Sequence, residues 1–161
     1  FIVINIYNIP LSSGENNSYS KDELEEVTLN QKIDLVNLHK AIDKSSNIKI
    51  NYNNYKSIVV TFWATWCPSC KSENKVFNEV TKKYKDILIL GVCMDREKDA
   101  LDNYLKTNKL LFNTFNVTKE ISTLFDDIVA VPTHFIINNT DGSYLKKLGL
   151  LKENELIDLV K

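Results

Sequence analysis

The order of apolar runs and helical stripes along these 161 residues predicts an α/β fold, a central mixed sheet flanked by helices on both faces. Three observations carry that expectation. Two runs rich in β-formers, residues 58–63 and 87–94, are each followed by a segment with apolar residues at helical spacing. The second run, ILILGVCM, is apolar throughout, which suits a strand covered on both faces. Further on, Asn138-Asn139-Thr140-Asp141-Gly142 separates two strand-like runs and reads as a hairpin turn. The sheet is therefore expected to be parallel in the middle and antiparallel at one end.

Taken in order, residues 1–9 (FIVINIYNI) are apolar but too short to span a bilayer, and Asn5 and Asn8 interrupt them. They read as an edge strand or a leader, with the stub of a removed anchor or signal segment as the second reading. Residues 10–20 are loop-like. Ser20 and Glu23 form a capping-box pair that starts a short helical turn through Glu26. In residues 31–45, Leu35, Leu38 and Ile42 recur at helical spacing, although 27–29 and 33–35 also fit strands. His39, with no Cys or His near it in sequence, reads as a solvated surface residue. Residues 48–50 alternate as a short strand, and 51–57 form a polar connection. After the strand at 58–63, Val76, Phe77, Val80 and Tyr84 define the buried face of a helix. A helical segment at 97–107 turns Leu101, Tyr104 and Leu105 inward, and 110–115 reads as a short strand. Thr118 caps a helix carrying Ile121, Leu124 and Phe125. Strands at 133–137 and 143–148 form the hairpin, and a helix at 153–160 buries Leu156, Ile157 and Val160.

A chain of this length accommodates one domain with a sizeable core. Its net charge of −1 offers no attraction to nucleic acid or to an anionic membrane surface. Three cysteines, two of them spaced C-x-x-C, point to a redox or metal pair rather than a disulfide framework.

That pair lies in Thr61-Phe62-Trp63-Ala64-Thr65-Trp66-Cys67-Pro68-Ser69-Cys70-Lys71-Ser72-Glu73, where the first strand run meets the start of a helix. Pro68 suits the first helical position. Cys67 then faces free backbone N–H groups and the positive end of the helix dipole, both of which favour a thiolate. Cys70, one turn on, falls on the buried stripe, so Cys70 is expected to be buried and Cys67 exposed. An activated thiol beside a resolving thiol equips a site for thiol–disulfide exchange. A zinc site would need four ligands, and only Cys93, His39 and His134 remain, none at knuckle spacing, so no metal is expected. Trp66 offers a flat apolar contact to a protein partner, whereas Trp63 belongs to the buried strand. Glu73 is either a proton carrier for Cys70 or an exposed first-turn glutamate favoured by the dipole. Pro132 opens a strand. His134 reads as packed or half-exposed on the face opposite Thr133 and Phe135, and Cys93 as a small buried hydrophobe.

The run Phe-Trp-Ala-Thr-Trp-Cys-Pro-Ser-Cys resembles the active site of thioredoxin-fold oxidoreductases, most nearly the TlpA, ResA and DsbE branch. The resemblance extends from about residue 48 to the C-terminus. It divides the chain into an N-terminal extension, 1–47, and a thioredoxin-like domain, 48–161. Ala130-Val131-Pro132-Thr133 looks like the family's cis-proline loop, which implies that Pro132 is cis and packs on the cysteine pair. Val131 would offer backbone bonds to a bound substrate, with Trp66 and Pro68 beside it. Glu73 matches an acidic residue that this branch carries three places after its second cysteine, which favours its catalytic reading. Residues 95–125 correspond to the branch's helical insertion. Three departures stand out: Thr61 occupies the place of thioredoxin's buried aspartate, His134 that of a small residue, and Pro68-Ser69 that of thioredoxin's Gly-Pro, a change of the kind that moves redox potential.

The resemblance implies a thiol–disulfide oxidoreductase, in preference a reductant, with Cys67 as nucleophile, Cys70 as resolving thiol and no cofactor. Its partners would be protein disulfide substrates and a dithiol protein that exchanges electrons with it. It further implies an extracytoplasmic or organelle-lumen location and a membrane anchor outside these residues, as is frequent in a branch linked to cytochrome c maturation. Two other readings stand beside it: a thiol peroxidase, and a thioredoxin-like binding module whose cysteines stay idle. Against the first, the Pro and Thr expected before a peroxidatic cysteine are missing.

Overall fold

The computed structural model describes residues 31–125 and 128–160. The apolar start at 1–9, the capping box at Ser20 and the run at 27–29 lie outside the described residues. Among the described residues six strands share one sheet: β1 (Gln31–Lys32), β2 (Ser57–Trp63), β3 (Ile87–Cys93), β4 (Asn113–Asn116), β5 (Thr133–Asn138) and β6 (Ser143–Leu148). Their spatial order is β1-β6-β5-β2-β3-β4. Strands β2, β3 and β4 run parallel, while β5, β6 and β1 are each antiparallel to their inner neighbour. The parallel half thus reaches the β4 edge instead of stopping in the middle. The long connection after β3 carries the chain back over the sheet, and such a crossover is what a parallel neighbour requires.

Among the described residues five helices cover the two faces: α1 (Leu35–Ser46), α2 (Pro68–Lys83), α3 (Ala100–Leu105), α4 (Lys119–Ser122) and α5 (Glu153–Leu159). Side chains alternate along each strand. On one face Ile58, Val60, Phe62, Leu90 and Phe135 meet Leu38, Ala41 and Ile42 of α1 and Ile121 of α4. On the other, Val59, Ile89 and Ile136 meet Phe77 and Val80 of α2 and Leu156 of α5. Burial on both sides is why all seven residues of β2 and of β3 are inaccessible. The region from Gln31 onward does not stand apart from this core, since β1 pairs with β6 and α1 covers one sheet face.

Several local expectations need correction. Helix α1 begins at Leu35 because Asp34 caps it, its carboxylate accepting the Asn37 N–H at 3.0 Å. His39 is half-buried, not solvated. Its ring stacks on Tyr52 at 3.7 Å, and its Nε2 lies 2.9 Å from Asn139 Oδ1. The Asn139 amide N–H groups go to the Tyr52 and Tyr55 carbonyls, which leaves Oδ1 for the histidine. Residues 48–50 form no strand, since two alternating apolar residues offer too few ladder bonds. The polar connection after them contains a 3₁₀ turn, Tyr52–Asn54. Helix α3 is shorter than predicted and leaves Leu105 exposed. The hairpin turn matches its reading: Gly142 sits at φ 76°, and its carbonyl accepts the Ile33 N–H at 2.9 Å.

Candidate active site

The carboxyl ends of β2 and β3 meet the start of α2 in a small cluster of Trp63, Ala64, Cys67, Cys70, Cys93 and Leu101. Cys67 is the N-cap of α2 and Pro68 opens the helix. The Cys67 Sγ accepts the backbone N–H of Cys70 at 3.3 Å, so the cap itself carries the sulfur. Cys67 and Cys70 form a disulfide across a Cα–Cα distance of 5.2 Å.

Cys70 is buried, as its place on the stripe predicted. Cys67 is buried as well, at 3% exposure, contrary to the expectation for a helix tip. A loop distant in sequence lies over it, with Val131 O 3.9 Å from Cys67 Sγ, and Ser69 Oγ of α2 itself is 3.4 Å away. The Val131–Pro132 peptide is cis, as the resemblance implied, and Pro132 is buried. Its carbonyl accepts the Gly149 N–H at 2.9 Å, and Thr133 Oγ1 donates to Ala130 O at 2.7 Å, so the loop is held from both sides. The exposed feature beside the disulfide is Trp66, at 68%. Pro68 is exposed too.

Beneath this surface, Glu73 is 1% exposed, which removes the surface reading of that residue. Its Oε2 accepts the Leu151 N–H at 2.7 Å and lies 3.0 Å from His134 Nε2. His134 is wholly buried on β5. Cysteines 67 and 70, Trp66, Pro68, Val131 and Pro132 therefore gather at one end of the sheet, Trp66 and Pro68 exposed and the cysteines and Pro132 buried, with Glu73 one helical turn further along α2. Asp95 was missed in the sequence. It accepts the Thr65 N–H at 3.0 Å and also the Thr65 hydroxyl, and so fixes the loop that carries Trp66 and Cys67. Its position just past the 87–94 run, beside the end of the motif strand, was the available signal. Cys93 is a free, buried thiol, pushed up to about 11 chiefly by burial. Trp63 donates its Nε1–H to Thr114 Oγ1 at 3.1 Å and lies edge-on to Tyr104. Among the described residues no group of three or more His, Cys, Asp or Glu is placed to hold a metal ion. None of their helices is long and apolar enough to cross a membrane.

A family model described as thioredoxin-like matches residues 53–144, a span that includes the cysteine pair and the cis-proline loop. The chain belongs to the thioredoxin-like family. Among its relatives, a thiol-disulfide oxidoreductase ResA of Bacillus cereus is 32% identical over 97 residues, covering 58% of this chain and 54% of that protein. Sporulation thiol-disulfide oxidoreductase A of Bacillus subtilis (strain 168) is 24% identical over 109 residues, covering 65% and 66%. The chain spans about half the length of the curated ResA relatives it matches first. The crystal structure of StoA from Bacillus subtilis superposes with a TM-score of 0.58 at 23% identity, covering 68% of this chain and 85% of that one. A thiol:disulfide interchange protein from Chlorobium tepidum TLS gives 0.57 at 20% identity, covering 73% and 90%. The thioredoxin-like fold and the branch that the FWATWCPSC run suggested are both borne out.

Proposed function

We propose that this thioredoxin-like protein is a thiol–disulfide oxidoreductase acting on protein disulfides, with Cys67 as the attacking thiol and Cys70 as the resolving one. The observation that carries the proposal is the placement of the Cys67 sulfur. It caps α2, accepts the Cys70 N–H, and lies against the carbonyl that precedes cis-Pro132. A helix N-terminus stabilises the thiolate over the thiol.

In the reducing direction the Cys67 thiolate attacks one sulfur of the substrate disulfide. A Cys67–substrate bond forms and the other substrate sulfur leaves as a thiolate, which takes a proton from water. Cys70 then gives its proton to the Glu73 carboxylate and attacks Cys67 Sγ. The mixed disulfide breaks, the second substrate sulfur leaves, and Cys67–Cys70 closes; two electrons have passed to the substrate. A partner dithiol protein restores the reduced pair by the same exchange in reverse. Exposed Trp66 and Pro68, with the Val131 carbonyl and buried Pro132, form the surface on which an extended substrate segment would lie.

Equilibrating the pair in redox buffers and reading the reduced fraction by thiol labelling tests this proposal. A two-electron transition near about −270 mV marks a reductant, and one near about −120 mV an oxidant. In parallel, Cys70→Ser should trap mixed disulfides through Cys67 while Cys67→Ser traps none. Absence of a two-electron transition would end the oxidoreductase reading.

A further inference from the structure

Glu73 and His134 form a buried pair that ties the cysteine-bearing helix to the strand behind the cis-proline loop. His134 Nε2 lies 3.0 Å from Glu73 Oε2 and 3.0 Å from Gly149 O. Both neighbours are acceptors, so the ring carries its proton on Nε2 and shares it between them. Its other nitrogen, Nδ1, is buried with no hydrogen-bond partner. The residue opposite His134 on β2 is Thr61, whose buried Oγ1 is likewise without a partner.

Among the described residues, Glu73 is the acid paired with the ring. Across the β6 register lies Lys147, which is ion-paired with Glu155 of α5. From α2, Phe77 sets its ring edge-on at 5.8 Å, and Cys70 lies one turn before Glu73. Glu73 is thus the one carboxylate bonded to His134 among the described residues, and the residue opposite on β2 is a threonine. An imidazole bonded through Nε2 alone is suited to holding the Glu73 carboxyl group in place. It is poorly suited to relaying a second proton, because nothing bonds Nδ1.

The Glu73 side of the pair is equally one-sided. The Leu151 N–H and the His134 N–H both converge on Oε2. Residues 149–151 are bonded at three points in succession: Gly149 N–H to Pro132 O, Gly149 O to the His134 ring, and Leu151 N–H to Glu73. The carboxylate and the cis-proline loop are thereby held by one continuous set of bonds.

We propose that His134 is a positioning residue for the dithiol chemistry: its Nε2–H holds Glu73 by Oε2, so that Oε1 is kept for the proton of Cys70. The proposal rests on the oxidoreductase reading above and deepens it. It assigns His134 a task where the resemblance offered only a departure, and it makes the resolving step, not the first attack, the step that depends on His134.

The test uses the reduced protein and the aromatic disulfide 5,5′-dithiobis(2-nitrobenzoate), followed by the release of coloured thiolate. The first release reports attack by Cys67, and the second reports resolution by Cys70. His134→Leu should slow the second release about tenfold near pH 6–7, a part of the ~10²–10⁴-fold that a positioned acid–base group supplies. The first release should stay within about twofold, because the sulfur cap on α2 is untouched. His134→Gln, whose amide N–H can still donate to Oε2, should recover most of the loss. Glu73→Gln, which removes the carboxylate itself, should slow the second release at least as much as His134→Leu, and adding His134→Leu to it should slow it no further. His134→Thr, too short to reach Oε2, serves if the leucine variant fails to fold. A second release at the wild-type rate and pH profile in folded His134→Leu or His134→Thr would overturn the proposal alone. So would slowing that persists undiminished in the Glu73→Gln background, which would mark a merely structural effect. Wild-type thiols no more reactive than glutathione would overturn the oxidoreductase reading and this proposal with it.

Discussion

Gly91→Ala should destabilise the protein by about 2–4 kcal/mol. Gly91 lies in the interior of β3, between Thr61 of β2 and Thr114 of β4. A Cβ built there would lie 2.7 Å from Thr114 Oγ1, 2.9 Å from Trp63 Nε1 and 3.1 Å from Phe112 Cε2. The first two atoms are the two ends of one hydrogen bond, 3.1 Å long, so the added methyl group wedges into it. Trp63 cannot retreat easily, since it is 1% exposed and packed against Tyr104. Overpacking of this kind costs about 1–3 kcal/mol, and losing a buried hydrogen bond adds ~0.5–1.5 kcal/mol. In a chain of this size that corresponds to a fall in Tm of roughly 4–16 °C. Guanidinium denaturation should show a lower midpoint with an unchanged slope. A loss below ~0.5 kcal/mol would refute the reasoning, because the neighbours would then give way freely. A second arm locates the strain: Thr114→Ala in the Gly91→Ala background removes the nearest contact and should recover part of the loss. The resulting coupling should be of order 1 kcal/mol.

Two further outcomes follow from burial. Ile42→Ala removes a wholly buried side chain of α1 and should cost about 2–5 kcal/mol in one cooperative transition; an unchanged midpoint would show that α1 unfolds separately from the sheet. Cys93, raised from its ordinary value of 9.0 to about 11, should resist alkylation at pH 8 in the reduced protein while Cys67 is modified. Its folded value is the higher one, so its contribution to stability is complete below about pH 9. The contribution is lost as pH rises towards 11, because the unfolded chain releases that proton first. Wild-type stability minus that of Cys93→Val should decline across this window, and a flat difference in denaturation midpoints would contradict the assignment.

Much of the fold is legible locally because its signals are local. The apolar runs mark β2 and β3 to within a residue, and Thr118 caps α4 by accepting the Ile121 N–H at 3.3 Å. The Asn138–Gly142 stretch turns the hairpin through the positive φ of a glycine. At the site, Cys67 as N-cap and Pro68 as the first helical residue follow from residue type and spacing alone. Residues 48–50 show the limit of such reading, since an alternating pattern specifies a strand only where a partner accepts its ladder.

What the amino-acid sequence determined by itself is the dithiol motif and its place: two cysteines at a strand-to-helix junction, one of them at the helix N-terminus. What only the tertiary structure decided is the environment of those thiols. Cys67 is covered by a loop 64 residues away, and Glu73 is held by a backbone N–H 78 residues away and by a histidine on β5. His39 likewise lost its expected freedom to Tyr52 and Asn139. Burial and hydrogen-bond partners of this kind depend on which distant segments the sheet order brings together. Periodicity and capping report on neighbours within a turn or a strand, and carry no such information.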